Sequence, residues 1–160
     1  MHAMAGTPRA ITPHTRWEIN DGELFLSEAS MAAAIAGELG VPTVMVSGDD
    51  KVTAEVRGRI PHIEVAVVKE ALSPYQACSL TPAGARELIA AAAARGIARR
   101  GSIAPFLIPG PVRLVLVDAD GRKEGEPVGG ETVGEAFLEY LKARPWAPLN
   151  TVLPNGYRYP

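Results

Sequence analysis

Pro42-Thr43-Val44-Met45-Val46-Ser47 is an apolar run of strand length, closed by Gly48-Asp49-Asp50. Asp50 to Ile60 then places Val52, Val56 and Ile60 at helical spacing, and after Pro61 a second strand-length run follows, Ile63-Glu64-Val65-Ala66-Val67-Val68. Continuous hydrophobicity is the pattern of a strand buried on both faces, so the first run reads as a central strand. Strand, helix and strand in that order form a crossover that sets the two strands side by side and parallel. The expected class is α/β: a mixed, mostly parallel sheet with flanking helices, three-layer-like.

Toward the N-terminus, Ser27 with Glu28-Ala29-Ser30 is a helix-start signal. Met31, Ala34, Ile35 and Leu39 recur at helical spacing until Gly40, which predicts a helix over 28–39. Arg16-Trp17-Glu18-Ile19-Asn20 alternates polar and apolar ahead of Asp21-Gly22, a strand and a turn. Residues 1–16 lack apolar periodicity and read as loop. Toward the C-terminus, Thr81-Pro82 opens an alanine-rich helix to about Arg100, with proline in the first turn, where a missing N–H costs nothing. Val112 to Val117 is a further strand, Asp118 to Gly130 a polar loop, and Thr132 to Arg144 a last helix. The organisation is thus a loop over 1–16, an α/β domain over 17–144, and an extended proline- and aromatic-rich tail over 145–160.

Composition narrows the function. Sixteen Lys and Arg against eighteen Asp and Glu give a net charge of −2, which offers nothing to capture nucleic acid or an anionic membrane. No apolar stretch reaches the ~20 residues of a bilayer span, and the first residues lack a signal-peptide pattern. Cys78 is the one cysteine, so an internal disulfide and a cysteine-based zinc site are excluded, and a reducing, cytoplasmic setting is expected.

Few residues are candidates for chemistry. His2 and His14 in the first loop, with Glu28 at a helix start, offer imidazole and carboxylate ligands suited to a borderline divalent ion such as zinc. The same residues also read as a terminal residue, a loop residue and a carboxylate that favours the helix dipole, since they lack the fixed register of a motif such as H-E-x-x-H. Gly48-Asp49-Asp50 stands at a strand end, where open α/β sheets bind ligands, and is equally a glycine turn followed by an aspartate cap. Lys69 reads as reaching solvent from a strand end, His62 as a surface loop residue and Cys78 as a small core residue. No G-x-G-x-x-G or Walker-type loop is present.

Taken in order, His2-Ala3-Met4-Ala5-Gly6-Thr7-Pro8, His14-Thr15, Glu28-Ala29-Ser30-Met31-Ala32-Ala33-Ala34-Ile35-Ala36-Gly37-Glu38-Leu39-Gly40-Val41-Pro42 and Val46-Ser47-Gly48-Asp49-Asp50 resemble the zinc D-aminopeptidase family. Val68-Lys69-Glu70-Ala71 and Leu80-Thr81-Pro82-Ala83-Gly84-Ala85-Arg86-Glu87-Leu88-Ile89 extend the resemblance to about residue 140. It implies a two-zinc centre with His2 and Glu28 as metal ligands, His14 as the catalytic histidine, a short peptide as substrate and a homo-oligomeric assembly. An Asp-x-Glu pair and a first metal histidine of that family have no counterpart in this sequence. The resemblance therefore implies the C-terminal part of such a protein, one that holds zinc weakly and assembles incompletely. A non-catalytic α/β remnant, or a small-molecule- or peptide-binding module, is the alternative of a different class.

Overall fold

The crossover forms where the sequence places it. In a computed structural model that describes residues 15–73, 76–118 and 120–143, strand β3 (Met45–Asp49) runs parallel to β4 (Glu64–Ser73), with helix α2 (Asp50–Arg59) between them. Asp49 caps α2 through its carboxylate, which accepts the N–H groups of Lys51 at 3.0 Å and Val52 at 2.9 Å. Asp50 accepts the Ala71 N–H at 2.8 Å and so ties the helix start to β4. That hydrogen bond, with the Lys51 ammonium beside it, holds the Asp50 carboxyl below its ordinary pKa. Gly48-Asp49-Asp50 is accordingly a cap and a tether.

The other elements in chain order are β1 (Arg16–Ile19), β2 (Leu24–Leu26), α1 (Glu28–Glu38), β5 (Gln76–Ser79), α3 (Pro82–Ala98), β6 (Val112–Val117), β7 (Val128–Gly130) and α4 (Val133–Lys142). The α/β class holds, but the strands divide into two sheets. One has the order β2-β1-β6-β7 and is antiparallel throughout; the other, β3-β4-β5, contains the parallel pair. The expected predominance of parallel pairing is therefore corrected, because β1, β2, β6 and β7 follow hairpins and returns rather than crossovers. β2, β5 and β7 are strands the sequence did not announce, each only three or four residues long. β7 occupies part of the segment expected as loop, and Arg16 opens β1, where the alternation from Arg16 places a strand.

Two expectations about burial are also corrected. β3 lies at the edge of its sheet and is only partly buried, because among the described residues β4 is its one neighbour. Cys78 is exposed rather than a core residue: β5 pairs only with β4, at the sheet's other edge, and all four of its residues are exposed. His62 and Lys69 are exposed, as expected. The tail over 145–160 lies outside the described residues.

Two apolar clusters make the core. Trp17, Ile19 and Leu26 meet Val112, Leu114 and Leu116 of the antiparallel sheet beneath α4, where Trp17 packs edge-on to Tyr140 with ring centroids 4.6 Å apart. Val56, Ile60, Ile63 and Ile103 form the second cluster under α2. Helix α1 belongs to both, with Met31 and Ala34 in the first and Ala33 in the second. Glu38 at its far end accepts the Gly134 N–H at the start of α4. Glu64 opens β4 and holds Arg95 of α3 and Arg99, the C-cap of that helix, at 2.9 and 2.7 Å.

The start of α1 is gripped from α2. Glu55 Oε1 accepts the Ser27 N–H at 3.1 Å, the Ser30 hydroxyl at 2.7 Å and Arg59 Nε at 3.2 Å, and Arg59 also donates to the Phe25 carbonyl. Burial alone would raise the Glu55 pKa, but the Ser30 hydroxyl, the Ser27 N–H and the Arg59 charge outweigh it and hold the carboxyl below its ordinary 4.5.

Small residues decide how closely α1 can pack. A Cβ on buried Gly37 would strike the Phe106 backbone, whereas one on exposed Gly58 of α2 would meet nothing within 4 Å. Gly37→Ala should cost about 1–3 kcal/mol by urea denaturation, and Gly58→Ala should gain about 0.5–1 kcal/mol. Because the folded pKa of Glu55 is depressed, its contribution is present above about pH 4.5 and lost as pH falls through the folded value. The stability gap between wild type and Glu55→Gln should therefore be widest near neutral pH and narrow below about pH 4.5; a gap independent of pH would refute this assignment.

Candidate functional site

Glu28 is the first residue of α1, immediately after the N-cap Ser27, whose hydroxyl accepts the Ser30 N–H at 3.3 Å. At that position its carboxylate sits at the positive end of the helix dipole. Its Oε2 is buried and has no hydrogen-bond partner among the described residues. A carboxylate oxygen removed from water without a donor is costly, and a cation or a donor placed against it removes that cost.

A helix with Ser or Thr at the N-cap is commonly locked by Glu or Gln three residues on, which reaches back to the N-cap N–H. Here that third residue is Ser30, too short for the task. The Ser27 N–H is taken instead by Glu55 of α2, 28 residues away in sequence, and Ser30, almost fully buried, turns its hydroxyl to the same oxygen. Glu28 therefore projects from a helix start whose backbone is fixed from outside the helix. Sequence reasoning missed Glu55 and Arg59. Their four-residue separation on one helix was a legible pair signal, but nothing local points to Ser27 as the target.

His2 and His14 lie outside the described residues, so of the three proposed site residues the structure places Glu28. Among the described residues no three His, Cys, Asp or Glu side chains converge on a point where a metal ion could sit. Glu28 by itself fits a divalent cation: a buried carboxylate oxygen without a hydrogen-bond donor is a suitable zinc or hard-ion ligand, provided that imidazoles or further carboxylates complete the set.

The D-aminopeptidase of Bacillus subtilis (strain 168) is 31% identical over 114 residues, which is 68% of this chain and 40% of that protein. The chain thus spans well under half the length of this curated relative. A solved structure described as the Zn-dependent D-aminopeptidase DppA from Bacillus subtilis, a self-compartmentalizing protease, superposes with a TM-score of 0.68 over 79% of this chain and 52% of that one. At 24% identity this likeness speaks for the fold. The peptidase family M55 model, described as D-aminopeptidase, matches residues 1–123, a stretch that takes in Glu28, the whole crossover and its tethers, and on that match the chain belongs to the D-aminopeptidase family.

Proposed function

We propose that this chain forms part of a zinc-dependent D-aminopeptidase centre that releases N-terminal residues, with a preference for D-amino acids, from short peptides. The observation that carries the reading is the buried, unpartnered Oε2 of Glu28, at the position where the family resemblance requires a metal ligand. In this reading Glu28 and His2 hold the metal centre, a two-zinc site, and His14 acts beside it. Zinc, when bound, supplies the Lewis acidity that polarises a scissile carbonyl and activates water.

The chain's own residues have limited, definable tasks. Glu28 offers a carboxylate oxygen already stripped of water, so little desolvation remains to oppose ligation. His14 offers an imidazole, a group suited to move a proton between water and the leaving amine or to stabilise the developing oxyanion. Three protein ligands or more are needed to localise such an ion and keep a position open, and Glu28 with His2 makes two. In this reading the remaining ligands come from outside these 160 residues; the match covers 40% of the curated relative.

Homo-oligomerisation in a reducing, cytoplasmic setting is part of the same proposal. It is supported by apolar side chains left at the surface, Leu39, Leu72 and Ile97 among them, and by the self-compartmentalizing description of the structural relative.

Zinc analysis after dialysis, with a D-alanyl peptide assay, tests the assignment in the 160-residue chain and in a version extended by the residues encoded upstream of Met1. Weak zinc retention and little hydrolysis are expected from the short chain, and retention with activity from the extended one. Glu28→Ala should weaken zinc binding at least about ten-fold in both; unchanged zinc affinity would overturn the role of Glu28. Static light scattering of the short chain should show concentration-dependent association, and a single closed assembly would count against the incomplete-chain reading.

A further inference from the structure

We propose that Glu55 is a positioning residue for the metal site, fixing the backbone from which Glu28 projects. The proposal rests on the reading of Glu28 as a metal ligand.

The geometry is specific. Glu28 begins α1, and the peptide that sets its direction follows Ser27. The Ser27 N–H is one of the donors that a helix leaves unsatisfied at its start, and within α1 no side chain of sufficient reach stands at the third position to take it. Glu55 takes it at 3.1 Å and binds Ser30, one turn into the helix, at 2.7 Å. One oxygen thus spans the first turn of α1 from N-cap to third residue and brackets Glu28 between two fixed points. Arg59 completes the arrangement: its Nε holds the same oxygen, and its other end donates to the Phe25 carbonyl, two residues before Ser27. Both the strand end that enters the helix and the helix start are therefore held by a single pair of side chains on α2.

Ser27 caps α1 with its own hydroxyl, as Thr81 caps α3 and Thr132 caps α4, and the start of α4 also receives a carboxylate from another helix, Glu38 on the Gly134 N–H. At α1 the carboxylate from the neighbouring helix takes the N-cap N–H itself. The start of α1 combines that external grip with a buried carboxylate oxygen, Glu28 Oε2, that has no hydrogen-bond partner among the described residues. A ligand carboxylate whose helix start could fray would lose the fixed direction that metal binding requires, and outer residues that orient ligands are typically worth about 10–100-fold in metal affinity.

The test measures zinc affinity by competition with a chromophoric chelator at 25 °C, in the upstream-extended protein, folded as checked by circular dichroism, together with the visible spectrum of bound Co²⁺ as a report on ligand geometry. Glu55→Gln keeps an oxygen that accepts from Ser27 and Ser30 and should stay within about three-fold of wild type. Glu55→Ala should weaken zinc about ten-fold or more and alter the Co²⁺ spectrum. Glu55→Met, which keeps the volume but accepts no hydrogen bond, should do the same and serves if the alanine variant does not fold. A lower melting temperature with unchanged zinc affinity in the Ala and Met variants would mean that the clamp is merely structural and would overturn the proposal. Glu28→Ala is the parallel arm. If it weakens zinc while the Glu55 variants do not, the positioning role alone fails; if it leaves zinc unaffected, the ligand reading fails and the positioning role with it.

Discussion

Helix α1 is shared between two apolar cores, and its small side chains make that sharing possible. Met31 and Ala34 close the cluster under the antiparallel sheet, Ala33 closes the one under α2, and Gly37 lies against the backbone of Phe106. A helix with one apolar stripe can serve one layer. With alanine and glycine on several faces, α1 is buried against both, at the cost of having little side-chain bulk with which to anchor itself.

Polar contacts at its two ends supply the anchoring. Glu38 reaches the start of α4, where a carboxylate complements the helix dipole, and Glu55 reaches back from α2 to the start of α1. Each contact joins elements that the apolar clusters only bring near one another. The hydrophobic contacts set distance, and the hydrogen bonds, being directional, set rotation and register. For a side chain proposed to bind a metal, as Glu28 is, rotation matters as much as distance, so on that reading the first turn of α1 is where structure and chemistry meet.

The region from Met45 to Ser73 repeats the pattern. Asp49 caps α2, and Asp50, adjacent in sequence, binds Ala71 in β4, so one dipeptide both starts the helix and ties it to the strand that follows it. A glycine-aspartate turn at a strand end has the outward look of a ligand site. Here its carboxylates are engaged by backbone N–H groups and, at Asp50, by the Lys51 ammonium.

The sequence by itself determined what depends on neighbours a few residues apart. Apolar period, a Ser27 cap, Pro82 in a first turn and the Gly48-Asp49-Asp50 turn were enough to place α1, α2, α3, β6 and the parallel β3–β4 pair, because helices and crossovers are set by local spacing. The ordered motifs from His2 to Asp50 carried the family. Only the tertiary structure decided how the strands divide into two sheets, that β3 is an edge strand, that Cys78 faces solvent and that Ser27 finds its partner on α2. An apolar run states that a strand prefers burial but not which strand will pair with its open side, and a serine N–H left without a local acceptor does not name the carboxylate 28 residues away that takes it. Both outcomes depend on segments distant in sequence and adjacent in space, and only the folded chain brings those together.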